Sequence, residues 1–234
     1  MVLAALAAAG PFIYIHFFNS TPAALSLSPG NSASTSSSAA PASSTATANT
    51  AASGAVAGTW TVGTGSVVGY RVNEVLLGQN ATAVGRTTSD TGHLTISGST
   101  ATAASFSVPM DTIHSDKSQR DAQFDGRIMD VAQYPTGTFT LTSPIDLGPL
   151  PAAGAIKSYP AHGQLTLHGT TRAVTFTLTA ERSVAKSGGA AIEVAGDIPV
   201  LFSDYRIQNP SFSGFVTTQD HGLLEFLLVF TKAS

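Results

Sequence analysis

The stretch AVTFTLTA, residues 173–180, places Val174, Phe176 and Leu178 between threonines. Alternation of apolar and hydroxyl side chains over such a run predicts a β-strand with one buried face and one solvated face. A parallel strand is usually buried on both faces and apolar throughout, so the pattern favours an antiparallel sheet.

The same period of two recurs on both sides of this stretch. Phe106 and Val108 alternate with serines, and Phe139 and Leu141 alternate with threonines. About ten short strands separated by Gly, Pro and Asp predict an all-β sandwich or barrel. The further candidates are residues 59–62, 67–75, 81–87, 92–97, 163–168, 191–200 and 222–231.

The last of these candidates differs because it is apolar on both faces. Leu224, Phe226 and Leu228 fall on one face, and Leu227 and Val229 fall on the other. We expect the first face to line the interior of the domain. We expect the second face to pack beneath a helical segment.

That helical segment is predicted within residues 115–135, where the alternation stops. Phe124, Ile128 and Val131 are spaced so that they share one face of a helix. Gly126 argues against one uninterrupted helix, and Pro135 ends the segment. A short helical excursion over the mouth or side of a β-structure is expected.

Charge divides the chain into three parts. All 11 basic and all 14 acidic residues lie at or after Arg71. Residues 1–18 are apolar and predict a membrane anchor or a signal segment. A buried helix of a soluble domain is the third alternative. As a helix, these 18 residues would span about 27 Å, near the lower limit for crossing a bilayer. Residues 19–57 are rich in Ser, Ala, Thr and Pro and predict a flexible linker. Residues 58–234 form the domain, and the parts before it favour an extracytoplasmic location.

Composition excludes several classes of function. The chain has no cysteine, which removes disulfides, thiolate metal sites and cysteine nucleophiles. Its net charge of −3 and scattered basic residues argue against nucleic-acid binding. Histidine spacing fits a metal site poorly, and no phosphate-binding loop or nucleophile elbow is present. We therefore predict no enzyme activity, no catalytic residue, no metal and no cofactor.

Several short motifs lie in order along residues 58–234. They are GTWTV at 58–62, YRV at 70–72, VGR at 84–86, RD at 120–121, MD at 129–130, YP at 134–135, TF at 138–139, GQLTLHG at 163–169 and DYRI at 204–207. This ordered set resembles one known family, the YceI-like proteins. Its members are lipocalin-like antiparallel barrels that bind polyisoprenoids or other long lipids. The resemblance covers nearly all of residues 58–234 and implies a barrel of about eight strands with a short helical segment.

The predicted binding site combines inward apolar side chains with a few polar groups at the rim. Arg71, Arg120, Asp121 and Tyr205 are the rim candidates, although an Arg120–Asp121 ion pair that locks the helical segment is an alternative. The aromatic candidates could equally fill a dry core. The complete set is Tyr70, Arg71, Val72, Phe106, Arg120, Asp121, Phe124, Met129, Phe139, Leu165, Phe176, Tyr205, Phe226 and Leu228.

Two functions remain open. The first is an extracytoplasmic lipid-binding protein, attached to a membrane through residues 1–18, that buries an isoprenoid, quinone or fatty-acyl chain for carriage or storage. The gain would be ~0.8 kcal/mol per buried methylene group. The alternative is a ligand-free barrel or sandwich module with a structural or protein-interaction role at the cell surface.

Overall fold

The computed structural model describes residues 21–27, 56–149, 151–186, 188–211 and 216–232. The predicted apolar segment 1–18 and most of the predicted linker lie outside these residues. Within the described ranges, no helix has the length and apolar character needed to span a membrane.

The described residues form one antiparallel sheet of 13 strands. The strands are β1 (Gly58–Val62), β2 (Val67–Leu76), β3 (Gln79–Thr87), β4 (Thr91–Ser97), β5 (Thr100–Pro109), β6 (His114–Ser115), β7 (Thr136–Leu141), β8 (Ile145–Asp146), β9 (Lys157–Leu167), β10 (Thr170–Val184), β11 (Ala190–Leu201), β12 (Val216–Thr218) and β13 (His221–Lys232).

The sheet closes into a barrel. Eight strands follow one another in the order β1, β4, β5, β7, β9, β10, β11 and β13, and β13 pairs again with β1. The first half of β13 also pairs with β2, which pairs with β3. Closure leaves the ring without an open edge that another chain could extend. The prediction of an antiparallel barrel of about eight strands is confirmed.

The period of two in the sequence corresponds to the inner and outer faces of the barrel. On β10, Phe176 is buried, whereas the flanking Thr175 and Thr177 are exposed. Phe226, Leu228 and their counterparts on the other strands form one continuous core. The interior is therefore almost entirely apolar.

The outer face of β13 is covered differently from our expectation. Leu227 and Val229 pack with Ala185 and Ala191, not beneath the helical segment. Ala185 directly follows β10 and Ala191 lies on β11, the neighbour of β13. The chain that joins β10 to β11 thus supplies the cover for this face.

The predicted helical segment is present between β6 and β7. It consists of helix α1 (Ser118–Gln123) followed by a π-helical turn (Phe124–Ile128) that includes Gly126. Phe124, Met129 and Val131 are buried in the barrel core. The segment therefore caps one end of the barrel, as the spacing of its apolar residues predicted.

Asp121 ties this cap to the sheet. Its Oδ1 accepts hydrogen bonds from the backbone N–H of Ser115, at 2.8 Å, and from the Ser115 hydroxyl, at 2.6 Å. Ser115 lies on β6, which pairs with β3. One carboxylate therefore joins helix α1 to the strand that precedes it.

Trp60 organises the opposite end of the barrel. It is fully buried, and its indole N–H donates a hydrogen bond of 2.8 Å to the carbonyl of Val56. Val56, assigned above to the linker, is itself buried in the core. The packed part of the chain thus includes a residue that precedes β1.

The bonds of Asp121 lead to a stability prediction. Asp121→Ala should lower the free energy of unfolding by about 1–3 kcal/mol, because two hydrogen bonds to a charged acceptor are lost. Chemical denaturation monitored by circular dichroism measures this change. Asp121→Asn keeps a carbonyl acceptor at the same position and should lose less. Equal losses in the two variants would show that the charge, not the hydrogen bonding, matters here.

Candidate functional site

Among the residues that the structure describes, the barrel interior has an apolar cavity towards each end. The cap cavity, of about 140 Å³, lies beneath helix α1 and the π-helical turn. The far cavity, of about 100 Å³, lies at the end where Val56 is buried. Both are walled almost entirely by aliphatic and aromatic side chains.

Four phenylalanines separate the two cavities. Phe106 stacks on Phe139 with ring centroids 5.4 Å apart, and Phe139 meets Phe176 edge-on at 5.5 Å. Phe176 meets Phe226 edge-on at 5.9 Å, and Phe226 returns to Phe106 at 5.5 Å. The four rings thus form a closed cycle across the barrel, which we call the phenylalanine partition.

The position of the partition follows from the order of residues along the strands. On β5, Ala101 and Ala104 line the far cavity and Val108 lines the cap cavity, while Phe106 between them lines both. On β13, Leu228 lines the far cavity and Leu224 lines the cap cavity, with Phe226 between them. The partition therefore lies midway along the barrel.

Inward-facing glycines make room for the partition. A Cβ atom on Gly163 would lie 2.3 Å from Cε2 of Phe139 and 2.7 Å from the carbonyl oxygen of Thr140. A Cβ on Gly196 would lie 2.9 Å from Cζ of Phe226. Large and small residues on neighbouring strands thus complement each other at this level.

Gly163→Ala tests this packing. We expect a loss of about 1–3 kcal/mol in the free energy of unfolding, because the added methyl group meets backbone as well as an aromatic ring. Thermal and chemical denaturation measure the loss. Gly126→Ala is the matched control, since a Cβ at Gly126 meets no atom within 4 Å. A Gly163→Ala protein as stable as the control would contradict the packing described here.

Polar groups gather at the mouth of the cap cavity. Arg120 and Glu74 both line it, with 3.5 Å between Arg120 Nη2 and Glu74 Oε1. Their side chains are 20% and 12% exposed, so they lie where the cavity meets solvent. Arg120 also forms an ion pair with Asp116 one helical turn earlier. The positive charge at this mouth is therefore already matched by two carboxylates.

Tyr70 forms the inner wall beside this mouth. Its ring stacks on that of Phe124, with centroids 5.1 Å apart and an interplanar angle of 16°. Burial raises the pKa of Tyr70 above its ordinary value, while the nearby charge of Arg120 lowers it in part. The phenol is consequently neutral at physiological pH.

Asp121 does not take the role that the sequence suggested. It does not line either cavity, and its carboxylate is occupied by Ser115 and lies 3.6 Å from His114 Nδ1. Arg120 pairs with Glu74 and Asp116, so the anticipated Arg120–Asp121 ion pair does not form. Arg120 and Asp121 are adjacent on one helical turn, and their side chains point to different partners.

Arg71 lies on the outer face of the barrel, not at the rim of the cavity. Tyr70 and Val72 point inward, and the alternation of a strand directs the side chain between them outward. There Arg71 Nε contacts Glu225 Oε2 at 3.0 Å. Its predicted role at a ligand head group is therefore not supported by its position.

Tyr205 is buried behind the cavity wall. It ends a 3₁₀ turn (Phe202–Tyr205), and Phe202 and Ile207, not Tyr205, line the cap cavity. Its hydroxyl has no hydrogen-bond partner among the described residues. Burial raises the pKa of Tyr205 to about 12, with a smaller contribution from Asp204.

The remaining predicted residues line the cavities. Tyr70, Val72, Phe106, Arg120, Phe124, Met129 and Leu165 border the cap cavity, and Phe106, Phe139, Phe176, Phe226 and Leu228 border the far cavity.

Sequence reasoning missed Glu74 and Met110. Glu74 continues the inward period of Tyr70 and Val72 along β2, so the alternation alone contained that signal. Met110 lies in a 3₁₀ turn (Met110–Thr112) after β5, where no strand pattern applies. In the described part of the chain, no three histidine, aspartate or glutamate side chains lie close enough together to hold a metal ion.

Comparison with known proteins agrees with this architecture. The family model described as the YceI-like domain matches residues 60–230. The chain belongs to the YceI-like family. A search of curated proteins finds no match.

Two solved structures share the YceI-like fold with this chain. One is a polyisoprenoid binding domain from Saccharophagus degradans implicated in plant cell wall breakdown. Its sequence identity to this chain is 16% and the TM-score is 0.60. The alignment covers 75% of this chain and 98% of that chain. The other is Burkholderia cenocepacia BcnA, with 22% identity, a TM-score of 0.50, and 69% of this chain and 96% of that chain covered. At these identities the likeness is one of fold.

Proposed function

We propose that this YceI-like protein binds one long-chain lipid, with the tail inside the barrel and the head group at the mouth of the cap cavity. The observation that carries the proposal is the apolar interior, in which two cavities meet at Phe106. The similarity in fold to a structure described as a polyisoprenoid binding domain supports it.

The size of the cavities defines what binding requires. An apolar cavity of about 150 Å³ accommodates a molecule of the size of benzene. The cap cavity, of about 140 Å³, therefore has room for roughly one isoprene unit in this conformation. A longer tail enters the far cavity only if the rings of the phenylalanine partition rotate aside. Phe106, which borders both cavities, is the ring that has to move first.

The driving force is burial of the tail. Each methylene group removed from water contributes ~0.8 kcal/mol, and the apolar walls supply contacts along the whole path. Specificity for chain length then depends on whether the tail passes the partition. A tail that ends at Phe106 leaves the far cavity empty, whereas a longer tail fills both.

The charges at the mouth favour an uncharged polar head group. Arg120 lines the cap cavity but is matched by Glu74 and Asp116. A phosphate or carboxylate placed here would have to compete with these two carboxylates for one guanidinium, and would be repelled by them. A polyprenol hydroxyl or a quinone carbonyl can accept a hydrogen bond from Arg120 without that repulsion. We therefore favour a neutral isoprenoid or quinone over a fatty acid or a prenyl phosphate.

Carriage or storage outside the cytoplasm is the role that fits such a protein. This part of the proposal rests on the uncharged apolar residues 1–18 and on the linker composition of the sequence. Fractionation of cells that express the full chain tests it. Recovery with the cytoplasmic proteins would refute the location and leave lipid binding as a separate question.

Lipid binding is tested on the full chain, expressed in cells with their own membranes and purified without detergent. Native mass spectrometry, combined with analysis of the solvent extract, should find one long-chain neutral lipid per chain. Incubation of the stripped protein with polyprenol, quinone, polyprenyl phosphate and fatty acid should give stronger retention of the two neutral ligands than of the two anionic ones. A protein that stays empty with all four ligands would support the ligand-free surface module, which the small cavities also permit.

Two matched substitutions locate the tail. Ala83 lines the cap cavity and Ala104 lines the far cavity, so phenylalanine at either position fills one cavity only. Ala83→Phe should abolish lipid retention, and Ala104→Phe should retain the head of the lipid but select shorter tails. Both variants carry a similar overpacking cost of about 1–3 kcal/mol, so a general loss of stability would not produce different outcomes. Equal lipid content in the two variants and the unmodified protein would contradict the proposed path.

A further inference from the structure

Residues 21–27 of the predicted linker lie on the outer face of the barrel. Arg71 Nη2 donates a hydrogen bond of 2.8 Å to the carbonyl of Pro22, and Arg86 Nη2 donates one to the carbonyl of Ala23. The N–H of Leu25 donates to Oε2 of Glu225 at 3.4 Å. Three side chains from three strands thus hold the backbone of a segment far away in sequence.

Glu225 is the centre of this arrangement. Leu224 and Phe226 point into the barrel, so Glu225 points outward, yet its side chain is 0% exposed. Its two oxygens accept bonds from Arg71 Nε at 3.0 Å and from Arg86 Nη2 at 2.8 Å. A carboxylate withdrawn from water is costly unless it is paired and fully hydrogen-bonded, and this one is both. We call Arg71, Arg86 and Glu225 the outer-face cluster.

A neighbouring acid adds to the charge of this face. Asp197 lies opposite Glu225 in the pairing of β11 with β13. Burial, and then the negative charge of Glu225, raise the pKa of Asp197, while Arg71 lowers it. Two arginines and two carboxylates therefore share one region of the outer face.

The sequence of the linker marks the same segment independently. Among residues 19–57, all but Leu25, Leu27 and Val56 are Ser, Thr, Ala, Pro, Gly or Asn. Leu27 is 9% exposed, Val56 lies in the barrel core, and Leu25 is half-buried. The three larger apolar side chains of the linker are thus the ones that the fold withdraws from water.

We propose that the outer-face cluster is a docking site for the chain's own residues 21–27, so that the linker is fastened to the barrel close to its beginning. The hydrogen bonds from the outer-face cluster go to backbone groups of residues 22–25. An extended segment of almost any composition has such groups. The apolar anchors, Leu25 and Leu27, determine which segment binds.

Docking changes how far the barrel can move from whatever precedes it. A free linker of 39 residues would have a span of ~35 Å. With residues 21–27 docked, only residues 19 and 20 separate the predicted anchor from the barrel surface, a reach of about 10 Å. This consequence rests on the proposed membrane attachment, whereas docking itself does not.

Hydrogen exchange of the full chain, read by mass spectrometry, tests the docking. Among residues 21–27 the amide of Leu25 donates to Glu225, so it should be protected in the unmodified protein, and fragmentation to single-residue resolution separates it from its neighbours. Arg86→Ala should accelerate the exchange of the Leu25 amide roughly tenfold or more, since a bond from a charged donor to the Ala23 carbonyl and one partner of Glu225 are lost. Arg172→Ala is the matched control. Arg172 donates its hydrogen bond to the carbonyl of Asp204, and in the described part of the chain neither residue is hydrogen-bonded to residues 21–27.

A second variant avoids any change to the barrel. Leu25→Ser combined with Leu27→Ser removes the apolar anchors and should release the segment while the strands keep their protection.

Because the chain has no cysteine, Ser26→Cys also offers a unique site for a spin label, which should be immobile in the parent and mobile in both release variants.

Three results would overturn the inference. They are unprotected exchange of the Leu25 amide in the unmodified protein, protection that neither variant reduces, and protection that disappears on dilution, which would indicate docking onto a second copy. The lipid content of the same samples is measured in parallel. Loss of docking with lipid retained would refute this inference alone, and docking without lipid would refute only the proposed function.

Discussion

Strand β13 pairs with β11 along almost its whole length and with β2 and then β1 along its other edge, and this pairing closes the barrel. Without it the sheet would be open, and the side chains that now meet across the interior would face water. The strand is apolar on both faces because both are covered. Phe226 and Leu228 enter the core, while Leu227 and Val229 pack against Ala185 and Ala191.

Closure also determines the shape of the interior. Inward side chains from strands on opposite sides meet at the phenylalanine partition, and glycines such as Gly163 and Gly196 leave the space that its rings require. The interior is consequently neither a filled core nor an open tunnel, but two small apolar cavities joined at Phe106. In the proposed function, a tail longer than about one isoprene unit can reach the far cavity only when the rings of the phenylalanine partition rotate aside.

The cap end and the outer face of the barrel each hold a separate group of charged side chains. At the cap end, Arg120 is held by Glu74 and Asp116, which leaves a polar mouth with little net positive charge. On the outer face, Arg71 and Arg86 enclose Glu225 beneath residues 22–25. Arginines that look alike in the sequence therefore serve different surfaces, and only Arg120 among these three borders a cavity.

The sequence by itself determined an antiparallel β-structure with one buried face on most strands, because alternation with a period of two records which side chains leave water. The choice of a barrel over a sandwich came from the resemblance to the YceI-like family. The sequence also placed Phe124 and Val131 on a buried face, since helical spacing records such a face in the same way. What it could not determine was which charges meet. Arg120 reaches Glu74 because the helical cap lies over the end of the barrel that β2 helps to form. Arg71 and Glu225 are far apart in sequence, and the pairing of β2 with β13 brings them together. The docking of residues 21–27 depends on the same pairing, because three strands must first assemble the surface that receives them.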